Sequence, residues 1–466
     1  MNLCDVGSRC WPLPSRISSQ ALKSAPHRNQ AKSSAAPHLL HLEHRLDNGL
    51  RVMIHPDRRV PRVAVNLLYR AGSRDDPAGR AGLAHLLEHM MFMGTEHVPK
   101  GRFDLLMEQV GGWSNAFTSE DITVYYEVGP ARLLETLLWL EADRMVGVAA
   151  ALTAAKLRLQ RDVVLNELWQ EYHNTPYAQV ELVQPGLLHP PSHPYARPVI
   201  GNEAELRAIT LADLQRHLGR FYSPANASLV LAGDLDPRAA MELVRRHFDW
   251  IPSSPPPLRV TRRWTPTLRR ERRRRLLDAV ELPRLILTWH SPAHFAAGDA
   301  EMDLAADVLA AGKDSRLHRT LVHRHRLALK VEAYQLSRPL GSLFTVSVTA
   351  RRGVNLERLE RMTLELLAAF ARRPVAEREL TRARQEFETD LLLGLQQVGR
   401  RAELLNIYAE SIGSGDGVLA DLERYRRVTR ESMREVALAV LGRPRATVWV
   451  QPRDGAPPAR TRHGSR

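Results

Sequence analysis

Apolar positions along the chain switch between a two-residue period and a three-to-four-residue period, and the switches predict strands and helices in turn. The segment "LEHRLDNGLRVMIHPD", from Leu42 to Asp57, reads as a strand, an Asp-Asn-Gly turn and a second strand. "RVAVNLLYRAGS" continues as a further strand with mostly apolar positions. Between Gly82 and Met93, Leu83, Leu86, Leu87 and Met90 recur at helical steps. A helix beginning near Phe103 ends at Gly111-Gly112, ahead of the strand "DITVYYEV". Two long helical patterns cover about Arg132–Met145 and Thr153–His173. "NASLVLAGDLD" reads as a buried strand with its turn, followed by a helix from about Pro237.

Pro252 and Pro255–Pro257 interrupt this pattern, and beyond them it starts again. "VPRVAVNLLYRAG" near Val60 is echoed by "LPRLILTWHSPAH" from Leu282, and each is followed by a turn and an Ala/Leu-rich helix. The repetition predicts an α+β fold of two related αβ domains, each a sheet covered by helices. The expected division is 40–250 and 262–452, joined by a proline-rich linker at 251–261. The flanks, a disordered tail over 1–39 and a basic tail over 453–466, stand outside it.

Composition narrows the class without deciding it. Hydrophobic residues make up 44% and charged residues 25% of the chain, the balance of a protein with a packed core. No stretch approaches the ~20 apolar residues of a membrane span. The net charge of +14 raises the question of nucleic acid. Its densest basic run, Arg269–Arg275 broken by Glu271, has no interleaved aromatics and belongs to no recognisable nucleic-acid module. A solvated strand edge is the reading, and no nucleic-acid partner is expected. Two cysteines, Cys4 and Cys10, rule out a Cys-rich metal cage. The leading tail lacks the apolar core of a signal peptide, which favours the cytoplasm and leaves periplasm and organelle open.

One pattern carries chemistry. His85, Glu88 and His89 lie at i, i+3 and i+4 of the predicted helix 82–93, so they share one face. Two imidazoles at that spacing can take adjacent corners of a zinc tetrahedron, and a carboxylate beside them can take and return a proton. The order His-x-x-Glu-His inverts the more familiar zinc-peptidase helix. A third ligand is required, and "RDVVLNELWQEYHN" offers Asp162, Glu167 and Glu171. The apolar run Val163–Leu165 favours Glu167 as the acid turned inward.

These residues closely resemble the pitrilysin/insulinase family of zinc metallopeptidases, in its bacterial processing-peptidase-like, two-domain form. The segments that carry the likeness are "HLLEHMMFMGT", "GGWSNAFTSEDITVYYEV", "RDVVLNE", "HPYARPVIG" and "NASLVLAGDLD", in order across Leu42–Pro252. Weaker likeness continues in "DSRLHRTL" and "RLALKVEAY". The resemblance implies one Zn2+ per chain on His85, His89 and Glu167, with Glu88 as general base. It also implies that Asn115, Ala116 and Thr118 line the cleft on an edge strand that pairs with the substrate backbone. The implied fold is half of a clamshell, two halves enclosing a chamber for peptides and unstructured segments.

Two positions depart from the family pattern. Where many members carry a second glutamate, seven residues before the ligand glutamate, this chain has Gln160, whose amide can still orient an imidazole. Where members often carry an arginine and a tyrosine that grip substrate, it has Val322 and Leu329. The expectation is a zinc endopeptidase whose chamber is completed by a related subunit bearing that Arg–Tyr pair. A non-catalytic assembly protein of the same fold is the rival reading, against which the intact His85, Glu88, His89 and Glu167 stand.

Overall fold

The computed structural model, which describes residues 39–259 and 268–453, contains two sheets that share a five-strand order, the first with one further edge strand. Residues 1–38 and 454–466 of the expected tails, both cysteines and part of the expected linker fall outside the described residues, whereas Leu39, expected in the leading tail, is buried against the seam of the two halves. The first sheet comprises β1 (Leu42–Arg45), β2 (Arg51–Pro56), β3 (Arg62–Tyr69), β4 (Trp113–Thr118), β5 (Thr123–Pro130) and β6 (Ala227–Gly233), in the order β1-β2-β6-β3-β5-β4. Its helices are α1 (Leu83–Met90), α2 (Arg102–Gln109), α3 (Leu134–Ala151), α4 (Ala154–Glu167), α5 (Gln179–Leu188), α6 (Glu203–Ala208), α7 (Leu211–Phe221) and α8 (Pro237–Phe248).

The second sheet comprises β7 (Arg272–Asp278), β8 (Arg284–Ser291), β9 (Ala328–Leu336), β10 (Ser342–Ala350) and β11 (Ala446–Pro452), in the order β7-β11-β8-β10-β9. Its helices are α9 (Asp299–Ala310), α10 (Leu356–Arg372), α11 (Glu377–Gly394), α12 (Val398–Ile412), α13 (Val418–Arg426) and α14 (Arg430–Leu441). Strand for strand this is β2-β6-β3-β5-β4 repeated. The parallel pair falls at the same place in each sheet, β2 with β6 and β7 with β11. Among the described residues no helix is long and apolar enough to cross a membrane.

The near-continuous apolar run of β3 has a structural cause: both of its faces are covered. One face packs on the main core with α1, α3, α7 and α8. The other is covered by α12, a helix from the second half, whose Leu404, Leu405 and Tyr408 cluster with Ala64, Val230 and Ala232. Within this seam Asn406 donates to the Asn66 carbonyl at 3.0 Å and to the Ser228 carbonyl at 3.2 Å. Arg51 donates to the Ala409 and Gly413 carbonyls, and Arg401 pairs with Asp57 at 2.6 Å. The exchange is reciprocal. From the first half, α5 brings Val180 against Leu276, Val448 and Val450 of the second sheet.

A buried polar cluster closes the same seam beyond α5. His189 and His193 stack at 4.3 Å, His290 of β8 lies 5.1 Å from His189, and Arg338 reaches across to Glu120 at 2.6 Å. Burial, then the charge of Arg338, then His193 and Arg443, push His290 down to about 4, and burial also holds His189 low. Unfolded, a histidine titrates near ~6.5. From pH 7 down through 6.5 the unfolded chain therefore takes up a proton that folded His290 refuses. Stability is full above about 6.5 and falls between there and about 4, by up to about 1.4 kcal/mol per pH unit for this residue. The thermal midpoint should accordingly be lower at pH 5 than at pH 7, and His290→Gln should flatten that dependence. Identical slopes for the wild type and the variant would show that His290 is not the titrating group.

Candidate metal centre

The centre begins with how α1 is seated. Gly82 opens the helix at φ +90°, and a Cβ there would stand 2.7 Å from the Ile200 carbonyl oxygen. Only glycine fits such an approach without strain. On the facing Gly201 a Cβ would stand 2.3 Å from the Ala81 carbonyl oxygen. Buried Asp76 accepts the backbone N–H of Gly82 at 2.8 Å and of Ala84 at 2.9 Å, satisfying first-turn donors that have no partner inside the helix. Arg197 in turn donates to the Asp76 and Pro77 carbonyls. The segment "HPYARPVIG" thus acts as the clamp on the start of α1.

Seven of the eight residues of α1 are buried, including His85 and Glu88. Across from them α4, capped by Thr153 accepting the Lys156 N–H, buries Leu157, Gln160, Val164 and Leu165. Glu167 ends α4 on the inward side, and the chain continues through His173 as a wider π-type turn. Asp162 and Glu171 are exposed, so of the three candidate acids only Glu167 reaches the histidines. The expected apolar run is inward at Val164 and Leu165 but not at Val163, which is 38% exposed.

His85 Nε2 lies 3.7 Å and His89 Nε2 3.3 Å from the two Glu167 carboxylate oxygens. One ligand atom from each of the three falls within 4.8 Å of the others, and the two rings meet edge to face. Such a set of two imidazole nitrogens and one carboxylate fits a tetrahedral zinc with one position open. Burial lowers His85 despite the opposing charges of Glu167 and Glu88, so its lone pair is free for a metal. For His89 burial also acts downward, but hydrogen bonding to Glu167 and the charges of Glu88 and Glu167 leave it raised. Buried Gln160 hydrogen-bonds His89 and donates to Met93 Sδ at 2.8 Å. His85 Nδ1 is buried with no hydrogen-bond partner among the described residues.

A cavity of about 1090 Å³ opens from this centre and runs between β4 and the turn from α11 to α12. Asn115 and Ala116 line it on the free edge of the first sheet. The Asn115 side-chain oxygen accepts the Ala116 N–H at 2.8 Å. Thr118, also expected in the cleft, lines it as well, though it is only 2% exposed, and donates to Glu88 at 2.6 Å. In the second half α9 follows β8 as α1 follows β3, but its Asp299 and Asp303 are engaged by Arg424 and Tyr425 instead. Val322 packs on the second core and Leu329 stands 55% exposed on β9. Asp76, Arg197 and Gly201 carry no sequence signal of their own beyond the motif that contains the last two.

Comparison with known proteins agrees with this architecture. A family model described as Insulinase (Peptidase family M16) matches residues 51–184, and one described as Peptidase M16 inactive domain matches residues 208–387. The chain belongs to the M16, or pitrilysin/insulinase, family. It is 26% identical over 387 residues to the zinc protease PqqE of Helicobacter pylori, covering 82% of this chain and 85% of that one. An uncharacterized zinc protease of Mycobacterium tuberculosis is 28% identical over 433 residues, covering 90% and 94%. The mitochondrial-processing peptidase β subunit of Lentinula edodes is 26% identical over 376 residues, covering 77% and 78%. Among solved structures, a protease from Helicobacter pylori superposes with TM-score 0.83 at 25% identity, covering 89% of this chain and all of that one.

Zinc analysis tests the ligand set directly. About one zinc per chain is expected from three side-chain ligands. His85→Ala or His89→Ala should remove most of it, and Glu167→Ala should weaken retention severely. A protein that takes up no zinc on reconstitution would refute the centre.

Proposed function

We propose that this protein is a zinc-dependent endopeptidase that hydrolyses peptides and unstructured polypeptide segments, as the metal-bearing subunit of a two-chain assembly. The observation that carries the reading is the convergence of His85, His89 and Glu167 around one point with Glu88 beside them. A zinc ion held there would polarise the scissile carbonyl and make a water molecule easier to deprotonate. Glu88 takes the proton from the attacking water and returns it to the leaving amine. The β4 edge aligns an extended peptide through its backbone groups, leaving side-chain preference loose. Access through a cavity between two packed halves suits an unfolded segment better than a folded domain.

Glu88→Gln separates chemistry from metal binding, because the amide keeps the shape and loses the proton acceptor. Zinc content should stay near one per chain while turnover falls by at least about 10²-fold. A variant with full zinc and normal turnover would show that another group is the base.

The oxyanion that develops on the substrate calls for a preorganised donor, worth about 10²–10³ in rate. Val322 and Leu329 offer none. The two-chain reading therefore assigns that donor to a related subunit with an arginine and a tyrosine at these positions. This chain alone should bind zinc and cleave a quenched fluorescent peptide feebly, and the partner should restore the rate. Full activity from this chain at every concentration, without partner, would overturn the assignment.

A further inference from the structure

We infer that Thr118 is a positioning residue for Glu88: its hydroxyl holds one carboxylate oxygen so that the other is the one that exchanges the proton. The inference rests on the reading of Glu88 as general base and concerns how the fold aims it. Thr118 Oγ1 lies 2.6 Å from Glu88 Oε2, and both residues are buried. That distance belongs to a hydroxyl donating to a carboxylate, a charge-assisted bond stronger than a neutral one.

The direction of the bond follows from the neighbours. Thr118 closes β4 and is paired in register with Thr123, the first residue of β5. Thr123 Oγ1 donates to the Ala71 carbonyl at 2.9 Å, and a carbonyl oxygen can only accept. The single Thr123 proton is thereby committed. The contact between the two threonine hydroxyls is 3.3 Å, longer than the contact to Glu88, so the Thr118 proton goes to the carboxylate. A glutamate has three rotatable side-chain bonds, and without this donor its carboxylate is free to turn about the last of them. With it, Oε2 is held toward Thr118 and Oε1, which carries no such bond among the described residues, is the oxygen turned to receive the proton and release it.

Strand geometry adds a second consequence. Asn115 and Ala116, on the free edge of β4, are three and two residues before Thr118. One short strand therefore sets both the line of a bound peptide and the orientation of the base. Thr118 is only 2% exposed and its hydroxyl proton is engaged by Glu88, so the loss of that hydroxyl is expected in kcat more than in KM.

The test compares Thr118→Val, which keeps the shape and loses the hydroxyl, with Thr118→Ser, which keeps the hydroxyl. Both should retain about one zinc per chain and the wild-type unfolding midpoint within a few degrees. Crystal structures of the three proteins should show Glu88 in one orientation in the wild type and Thr118→Ser, and in more than one in Thr118→Val. On a fluorogenic peptide, Thr118→Val should lose about tenfold or more in kcat with KM changed less than about twofold, and Thr118→Ser should recover most of it. A single, wild-type Glu88 orientation in Thr118→Val overturns the inference whatever the activity, as does a loss confined to KM. Normal turnover by Glu88→Gln would instead overturn the general base itself, a result that the crystallographic comparison does not depend on.

Discussion

Burial of α1 on nearly every side is the constraint from which the rest of the centre follows. Two imidazoles and a carboxylate inside a packed helix are costly unless each meets a partner. The partners come from elements far away in sequence: Glu167 and Gln160 from α4 and Thr118 from β4. The helix is held against them by the Gly82–Gly201 backbone approach and by the Asp76 carboxylate on its first turn. The arrangement of His85, His89 and Glu167 is consequently prepared by packing, which is what a site with a fixed geometry requires.

Interlocking of the two halves supplies the rigidity behind that packing. Each sheet receives a helix from the other half, α12 onto the first and α5 onto the second. Asn406, buried in the first of these seams, is satisfied by backbone and side-chain groups of β3 and β6, so the seam specifies one register. The exchange also shapes the cavity. Because α12 covers β3 and β6, the turn before it stands over β4 while leaving the outer edge of that strand free.

The two halves share a topology and divide the labour. Where α1 presents His85, Glu88 and His89, α9 presents Asp299, paired with Arg424, and Asp303, which accepts the Tyr425 hydroxyl. Burial, and then the charge of Asp299, push the Asp303 carboxyl well above its usual range, while the Arg424 guanidinium pairs with Asp299. The helix of the second half that corresponds to α1 carries no His-Glu-His set, and the family model that matches this region is described as an inactive domain. The contribution of the second half to the centre is indirect, through α12 and the wall of the cavity.

What was legible in the sequence follows a simple division. His85, Glu88 and His89 could be placed on one face because helical period is local and needs no knowledge of the rest. The repeated strand–helix order was legible for the same reason, and the two sheets bear it out. Glu167 was one of three acids, and only the docking of α4 on α1 left Asp162 and Glu171 in solvent. Val163 reads as apolar and inward, yet the face that α4 buries passes it by. Thr118 lines the cavity beside Ala116, but that its hydroxyl also meets Glu88 of α1 depends on how strand and helix pack, which no local pattern announces. Neither the Asp76 clamp nor the helix exchange has any local signature. They join residues as far apart as Asn66 and Asn406, 340 positions along the chain. A short-range period decides which side chains share a face; which face meets which is decided by burial and hydrogen bonding between segments that become neighbours only in the folded chain.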